Sequence, residues 1–307
     1  MSTHPYVTVD VFTERAFAGN PLAVVTDARG LGPEQMQAIA AEFGYSESTF
    51  VLPPEDPAHT ARVRIFTPRR EVPFAGHPNV GTAFVVARLA ERSGRPLGST
   101  LLFEEGAGLV PVDLLRDGGG RTTGAVLTAP QPLTLGATVP AAVVAECVGL
   151  APGAVLTARH EPVVASVGLA FVVAEVGIDA IGAARPDLAA FTVAARHHPS
   201  EAGWFSLFLY ARMAGRSDGA DLRARMFAPL GGIMEDPATG SANGALIALL
   251  TQLEPGPDAR LALEVRQGVE MGRPSLLSLS AEKRAGAVMR VRVGGRCAPV
   301  TEGTLEV

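Results

Sequence analysis

Two stretches of this 307-residue chain, 161 positions apart, follow one plan. Phe66-Thr-Pro68 leads through a Gly/Pro-rich segment holding Gly76-His-Pro78 into a helical pattern near Val80. Phe227-Ala-Pro229 leads through Asp236-Pro-Ala-Thr-Gly-Ser-Ala242 into a second one near Gly244. A strand, a tight loop of small residues and a buried helix thus recur once in each half. One recurrence is not a solenoid; it points to two similar domains facing each other. Phe-x-Pro is short enough to recur by chance, so the rest of the chain has to support the pattern.

Strand-like segments outnumber helical ones. Runs rich in β-branched and aromatic residues cover Tyr6–Thr13, Pro21–Thr26, Thr49–Leu52, Ala61–Thr67 and Leu101–Leu115 (broken at Gly106-Ala-Gly108). They continue with Trp204–Met213, Asp221–Phe227, Leu261–Arg266 and Val288–Val293. Helical patterns cover Pro33–Phe43, Val80–Arg92, Pro140–Val148 and Gly244–Leu253. The first has Pro at its opening position and Gly44 as its stop. Strands and helices do not alternate one for one, so the expected class is α+β rather than a doubly wound parallel sheet.

Composition removes several functions. Apolar residues make up 47% and charged residues 19%, which suits a packed core. A net charge of −5 recruits no polyanion, so no nucleic-acid partner is expected. Val163–Ala174 is an uncharged apolar stretch, but a bilayer span needs about 20 residues. The first residues, Met1-Ser-Thr-His-Pro5, lack a basic region followed by an apolar run, so no secretory signal is expected. Cys147 and Cys297 are the only cysteines and form no disulfide framework. A cytoplasmic protein without membrane partners is the plain expectation.

Cofactor signals are thin. Lys283 is the one lysine and sits in a turn-like stretch, a poor place for a Schiff base. The six histidines make no metal-ligand spacing, and His197-His198 reads as a solvated loop pair. Gly118-Gly119-Gly120 reads as a hairpin tip rather than a phosphate loop. No metal and no cofactor are expected.

Three loops carry chemistry. Glu235-Asp-Pro-Ala-Thr-Gly-Ser-Ala-Asn-Gly244 runs into a wholly apolar helix, and Thr239, Gly240 and Ser241 at such a start suit a carboxylate or other oxyanion. An ordinary helix cap accounts for one of these residues rather than all. Phe74-Ala-Gly-His-Pro78 holds His77 between Gly76 and Pro78, where its ring can project into a cleft. A single histidine is more often structural, and only the repeat ties it to Asp236. If the two helix starts converge, the Asp236 carboxylate can set the imidazole's tautomer and charge. Gly44-Tyr-Ser-Glu-Ser-Thr-Phe50 places Glu47 among hydroxyls and aromatics, where burial would raise a carboxyl toward acid–base use. A solvated loop glutamate is the bland alternative.

Taken together, these loops are similar to those of the PhzF-like phenazine-biosynthesis isomerase family. Matching stretches are Val9-Asp-Val-Phe-Thr13 with Gly19-Asn-Pro-Leu-Ala23, Ser46-Glu-Ser-Thr-Phe50, Arg64-Ile-Phe-Thr-Pro68 and Pro73-Phe-Ala-Gly-His-Pro78. They continue through Glu235-Asp-Pro-Ala-Thr-Gly-Ser-Ala242 and Gln267-Gly-x-x-x-Gly-Arg-Pro-Ser275, in family order over nearly the whole chain.

The resemblance implies a diaminopimelate-epimerase-like fold: two pseudo-symmetric domains, each a β-sheet wrapped round a central helix, with the active site between them. The first would cover residues 1–125 with 295–307 returning to it, and the second 126–294. It implies acid–base work by Glu47 with His77 and Asp236, and substrate binding by Asn20, Ser46, Gly76, Thr239, Gly240 and Ser241. Epimerases of this fold use a cysteine from each loop; here those loops hold none. Asn79-Val80 stands where Thr-Leu is common, and Ser48 where a second Thr is frequent. The implied activity is a cofactor-independent isomerisation that moves a proton on a small carboxylated substrate, by an enzyme that is a homodimer. A one-base amino-acid racemase and a non-catalytic binding protein are the rivals.

Overall fold

The computed structural model describes residues 2–198, 205–213 and 219–307. Trp204, the expected start of one strand, lies outside them. The chain divides into two compact units, Met1–Thr128 with Gly294–Val307, and Ala129–Val293.

The first unit opens with β1 (Thr3–Val11), β2 (Asn20–Val25), α1 (Pro33–Phe43), β3 (Ser48–Leu52), β4 (Ala61–Phe66) and β5 (Glu71–Val72). It continues with α2 (Gly76–Arg92), β6 (Thr100–Glu105), β7 (Gly108–Arg116) and β8 (Thr122–Thr128). Pairing runs β1–β2 antiparallel, β2–β3 parallel, β3–β4 antiparallel, β4–β6 parallel and β6–β7 antiparallel. α2 packs against β1, β2, β3, β7 and β8. Ten of its 17 residues are buried, which explains why so few charges interrupt it.

The second unit holds β9 (Thr134–Thr138), α3 (Ala141–Cys147), β10 (Val155–Leu156), β11 (Val163–Ser166) and β12 (Ala170–Val176). Next come α4 (Ile178–Ile181), α5 (Leu188–His197), β13 (Leu207–Arg212), β14 (Leu222–Ala228), β15 (Ile233–Asp236) and α6 (Gly240–Leu253). The chain closes with β16 (Ala259–Gln267), β17 (Ser275–Arg284) and β18 (Ala287–Glu306), whose later residues pair with β1 in the first unit. Pairing runs β11–β12 antiparallel, β12–β13 parallel, β13–β14 antiparallel, β14–β16 parallel and β16–β17 antiparallel. That is the order of senses found in the first unit. α6 packs on β11, β12, β16 and β17 and is apolar on every side, as a helix with no solvent face must be. With mixed sheets and six α-helices among the described residues, the architecture is α+β.

Several local expectations change. α2 and α6 begin at Gly76 and Gly240, four residues earlier than the sequence pattern, so His77 and Ser241 lie within first helical turns. Gly, Pro and Ser are poor helix formers, and tertiary packing overrides that preference here. His197-His198 is not a loop pair: His197 ends α5, and its Nδ1 lies 2.9 Å from the Val193 carbonyl. Asp187 caps that helix by accepting from the Ala190 amide at 3.0 Å. Lys283 is not an exposed turn residue. It is 3% exposed in β17, and its Nζ donates to the carbonyls of Gln252 (3.3 Å) and Glu254 at the end of α6. It thereby satisfies carbonyls that a helix terminus leaves without partners. The apolar stretch Val163–Ala174 folds as the β11–β12 hairpin.

Candidate active site

In the first unit Asn20, Ser46, Glu47 and His77 come together. Asn20 opens β2 opposite Val11 and is fully buried. The turn before it needs Gly19, whose φ is +66° and where a Cβ would lie 2.3 Å from the Val11 carbonyl oxygen. Asn20 Oδ1 accepts from Ser46 Oγ at 3.3 Å, and its Nδ2 lies 3.4 Å from His77 Nδ1. Glu47 precedes β3, and a Thr49–Thr82 hydroxyl contact of 2.8 Å ties β3 to α2, which carries His77. The Glu47 Oε2 atom lies 3.7 Å from His77 Nδ1, an electrostatic contact too long for a hydrogen bond. The Glu47 side chain keeps 18% of its surface exposed while that of His77 keeps 5%. Glu47 is therefore neither the solvated loop residue of the bland reading nor sealed away.

Burial pushes the His77 imidazole down to about 3, against a smaller opposing effect of the Pro21 backbone. The ring is neutral at physiological pH and adds no positive charge beside Glu47. Its Nε2 is buried without a hydrogen-bond partner. Gly76 is the first residue of α2, a helix whose N-cap residue, Ala75, makes no side-chain cap.

In the second unit Asp236, Thr239, Gly240 and Ser241 come together. Asp236 ends β15 and is 5% exposed; its Oδ2 accepts from Thr239 Oγ1 at 2.5 Å. That bond takes the Thr239 hydroxyl away from capping α6, so the first-turn N–H groups at Gly240 and half-buried Ser241 have no side-chain cap. Two neighbouring segments pin the loop. Gln267 Nε2 donates to the Asp236 carbonyl (2.9 Å) and to Thr239 Oγ1 (3.2 Å). Its Oε1 accepts from the Thr239 amide (3.2 Å) and from Asn243 Nδ2 (2.9 Å). Gly268 adopts φ +75°, and a Cβ there would lie 2.5 Å from the Pro237 carbonyl oxygen. Behind the loop, Arg225 grips Glu235 with two 2.8 Å bonds.

A family model described as "Phenazine biosynthesis-like protein" matches residues 9–303. The chain belongs to this family. An isomerase of Mesorhizobium japonicum, named as uncharacterized, is 39% identical over 99% of both chains. The trans-2,3-dihydro-3-hydroxyanthranilate isomerase of Pseudomonas fluorescens is 36% identical over 98% of this chain and 99% of its own. The solved PhzF-family protein of Bacillus anthracis superposes with a TM-score of 0.86 at 25% identity, with full coverage of both chains. The likeness of fold extends to a hydroxyproline epimerase of Agrobacterium vitis, with a TM-score of 0.61 at 13% identity. Like its phenazine biosynthesis-like relatives, this protein is an isomerase.

Neither the Gly76 loop nor the Thr239 loop holds a cysteine. Cys147 and Cys297 are both buried, and burial raises both thiols, Cys147 to about 12. Among the described residues no group of three His, Cys, Asp or Glu side chains is arranged to hold a metal ion. Sequence reasoning missed Gln267 as the organiser of the Asp236 loop, although it opens one of the family stretches. It also missed the contact of Asn79 Nδ2 with Glu105 Oε2 (3.3 Å), for which the sequence carries no local signal.

Proposed function

We propose that this isomerase moves a proton within a small carboxylated substrate by general acid–base catalysis at Glu47. The observation that carries the reading is a partly exposed carboxylate 3.7 Å from a buried, neutral imidazole. The substrate's C–H bond breaks and its proton passes to Glu47. The electron pair left behind shifts the adjacent double bond along the ring, and Glu47 returns the proton to the carbon at the far end. Nothing is oxidised or reduced, and the formula is unchanged. His77 and Asp236 hold the substrate's amine or hydroxyl groups. Asn20, Ser46 and Gly76 bind it from the first unit. Thr239, Gly240 and Ser241 take the carboxylate at an uncapped helix start, where N–H groups and the helix dipole favour an anion. The two units serve as two domains of like build, each a sheet around its long helix, α2 or α6.

The names of the Pseudomonas relatives supply the first compound to try, trans-2,3-dihydro-3-hydroxyanthranilate. Such a ring carries a carboxylate, an amine and a hydroxyl. In deuterated water it should take up label at a ring carbon as the double bond relocates; label at a chiral carbon with inversion would mark a racemase instead. Acid–base catalysis contributes about 10²–10⁴-fold. Glu47→Gln should therefore lower turnover by at least that factor while ligand affinity stays within a few fold. Normal turnover by this variant would end the assignment.

A further inference from the structure

The starts of α2 and α6 are built alike down to a side-chain bond. Asn79 is the fourth residue of α2 and Asn243 the fourth of α6. Each amide donates at 3.0 Å to the carbonyl of its helix's N-cap residue, Ala75 or Thr239. Each also donates to the last residue of the strand lying parallel to the repeated one. For Asn243 that residue is Gln267, at the end of β16, 2.9 Å away. For Asn79 it is Glu105, at the end of β6, 3.3 Å away. The place held by an amide in one half is held by a carboxyl in the other.

Gln267 uses both a donor and an acceptor to hold its helix start. Glu105 copies one part of that role: its Oε2 accepts from the Asn79 amide as Gln267 Oε1 accepts from Asn243, and a carboxyl can do so in either protonation state. The surroundings of Glu105 favour the protonated form. Its Oε1 is shut off from solvent and has no hydrogen-bond partner. Side chains alternate across a strand, so Glu105 shares its face with buried Leu101 and Phe103 of β6, Val63 and Ile65 of β4, and Val110 and Val112 of β7. Charges on these strands fall on the opposite face or are already paired. Glu104 binds His59 (2.8 Å), Arg62 binds Glu55 (2.6 Å), Arg64 binds Glu71 (2.6 Å), and Asp113 accepts from Thr100 (2.7 Å). Arg116 binds Glu91 of α2 (2.9 Å). The titratable group near Asn79 on the first turn of α2 is the neutral His77.

We infer that Glu105 is a positioning residue kept as a neutral carboxyl, holding the His77-bearing start of α2 through Asn79 as Gln267 holds the start of α6 in part through Asn243. Burial, offset in part by the Asn79 amide, pushes this carboxyl up to about 8. As pH rises through that value the carboxyl ionises and sets a charge, with one oxygen still unpartnered, beside the first turn of α2. The inference rests on the reading that the His77 end of α2 serves the active site.

Three measurements test it without using catalysis, so a failure here leaves the Glu47 assignment to its own turnover assay. Carbon-13 NMR of the wild-type Glu105 carboxyl should show a titration midpoint near 8; a midpoint near 4.5 would overturn the proposal. The ratio of folding constants, wild type over Glu105→Gln, should fall between pH 4.5 and 8, by up to about tenfold per pH unit. The native state alone keeps the proton in that window, so a ratio independent of pH counts against the idea. Nitrogen-15 shifts of the His77 ring should move with the Glu105 midpoint in the wild type and stay level there in Glu105→Gln. A buried carboxyl with no positioning role would leave them unmoved in both, and that result would also refute it.

Discussion

The two long helices start on the same scaffold, yet the groups around them differ in kind. Around α6, the Asp236 loop is closed by amides and a hydroxyl: Gln267 makes four hydrogen bonds, and Asn243 and Thr239 complete the set. Around α2, the corresponding places hold Glu105 and Ala75, and the second helical residue is His77 where α6 has Ser241. The side chains that hold the start of α6, Gln267, Asn243 and Thr239, do not titrate in the ordinary range, whereas His77 and Glu105 at the start of α2 do. A repeated fold allows this division because the backbone pairing that builds each start is indifferent to which side chain fills it.

The largest effect should come from breaking the amide network. Gln267→Leu strands the Thr239 amide and the Asn243 side chain in a buried site. It should cost about 3–5 kcal/mol in chemical denaturation. Its counterpart, Glu105→Leu, removes a single 3.3 Å bond and should cost about 1 kcal/mol. Equal losses would erase the contrast.

A smaller effect separates His77 from Ser241. The ordinary imidazole value of 6.5 falls to about 3 in the folded protein, so the unfolded chain binds the extra proton first. Stability should fall as pH drops below about 6.5, by up to about 1.4 kcal/mol per pH unit. His77→Asn should flatten this slope in melts between pH 7 and 4, and Ser241→Ala should leave it unchanged.

The far ends of the helices offer the mildest test. α6 ends on Lys283, whereas the Arg92 guanidinium near the end of α2 pairs with Glu302 at the surface. Lys283→Met should cost about 1–2 kcal/mol. Arg92→Met should cost no more than about 0.5 kcal/mol, as exposed pairs contribute little.

Legibility in the sequence tracks how local each signal is. α1 spans Pro33–Phe43 as expected because its proline, its Gln35 contact with Gly32 and its glycine stop all lie within one short segment. The hairpin tip at Gly118–Gly120 is local too, and lies between β7 and β8. The sequence reading leaves out the strands β5, β8 to β12, β15 and β17; β9 is exposed along its whole length and β12 buried along nearly all of its own, so neither shows the alternation of a half-buried strand. The first turns of α2 and α6 read as loops, since neither Gly76-His-Pro78 nor Gly240-Ser-Ala242 favours helix by itself.

By itself the chain determined the α+β class, the recurrence of strand, loop and helix, and the grouping of candidate residues into three short motifs. Those are properties of neighbours along the backbone, where composition and spacing carry the information. Only the tertiary structure decided that Lys283 is buried against a helix end, that Glu47 stands beside an uncharged His77, and that Glu105 meets Asn79. Each depends on burial or on parallel pairing between segments distant in sequence. The free energy of a charge is set by what surrounds it, and that is absent from the order of residues.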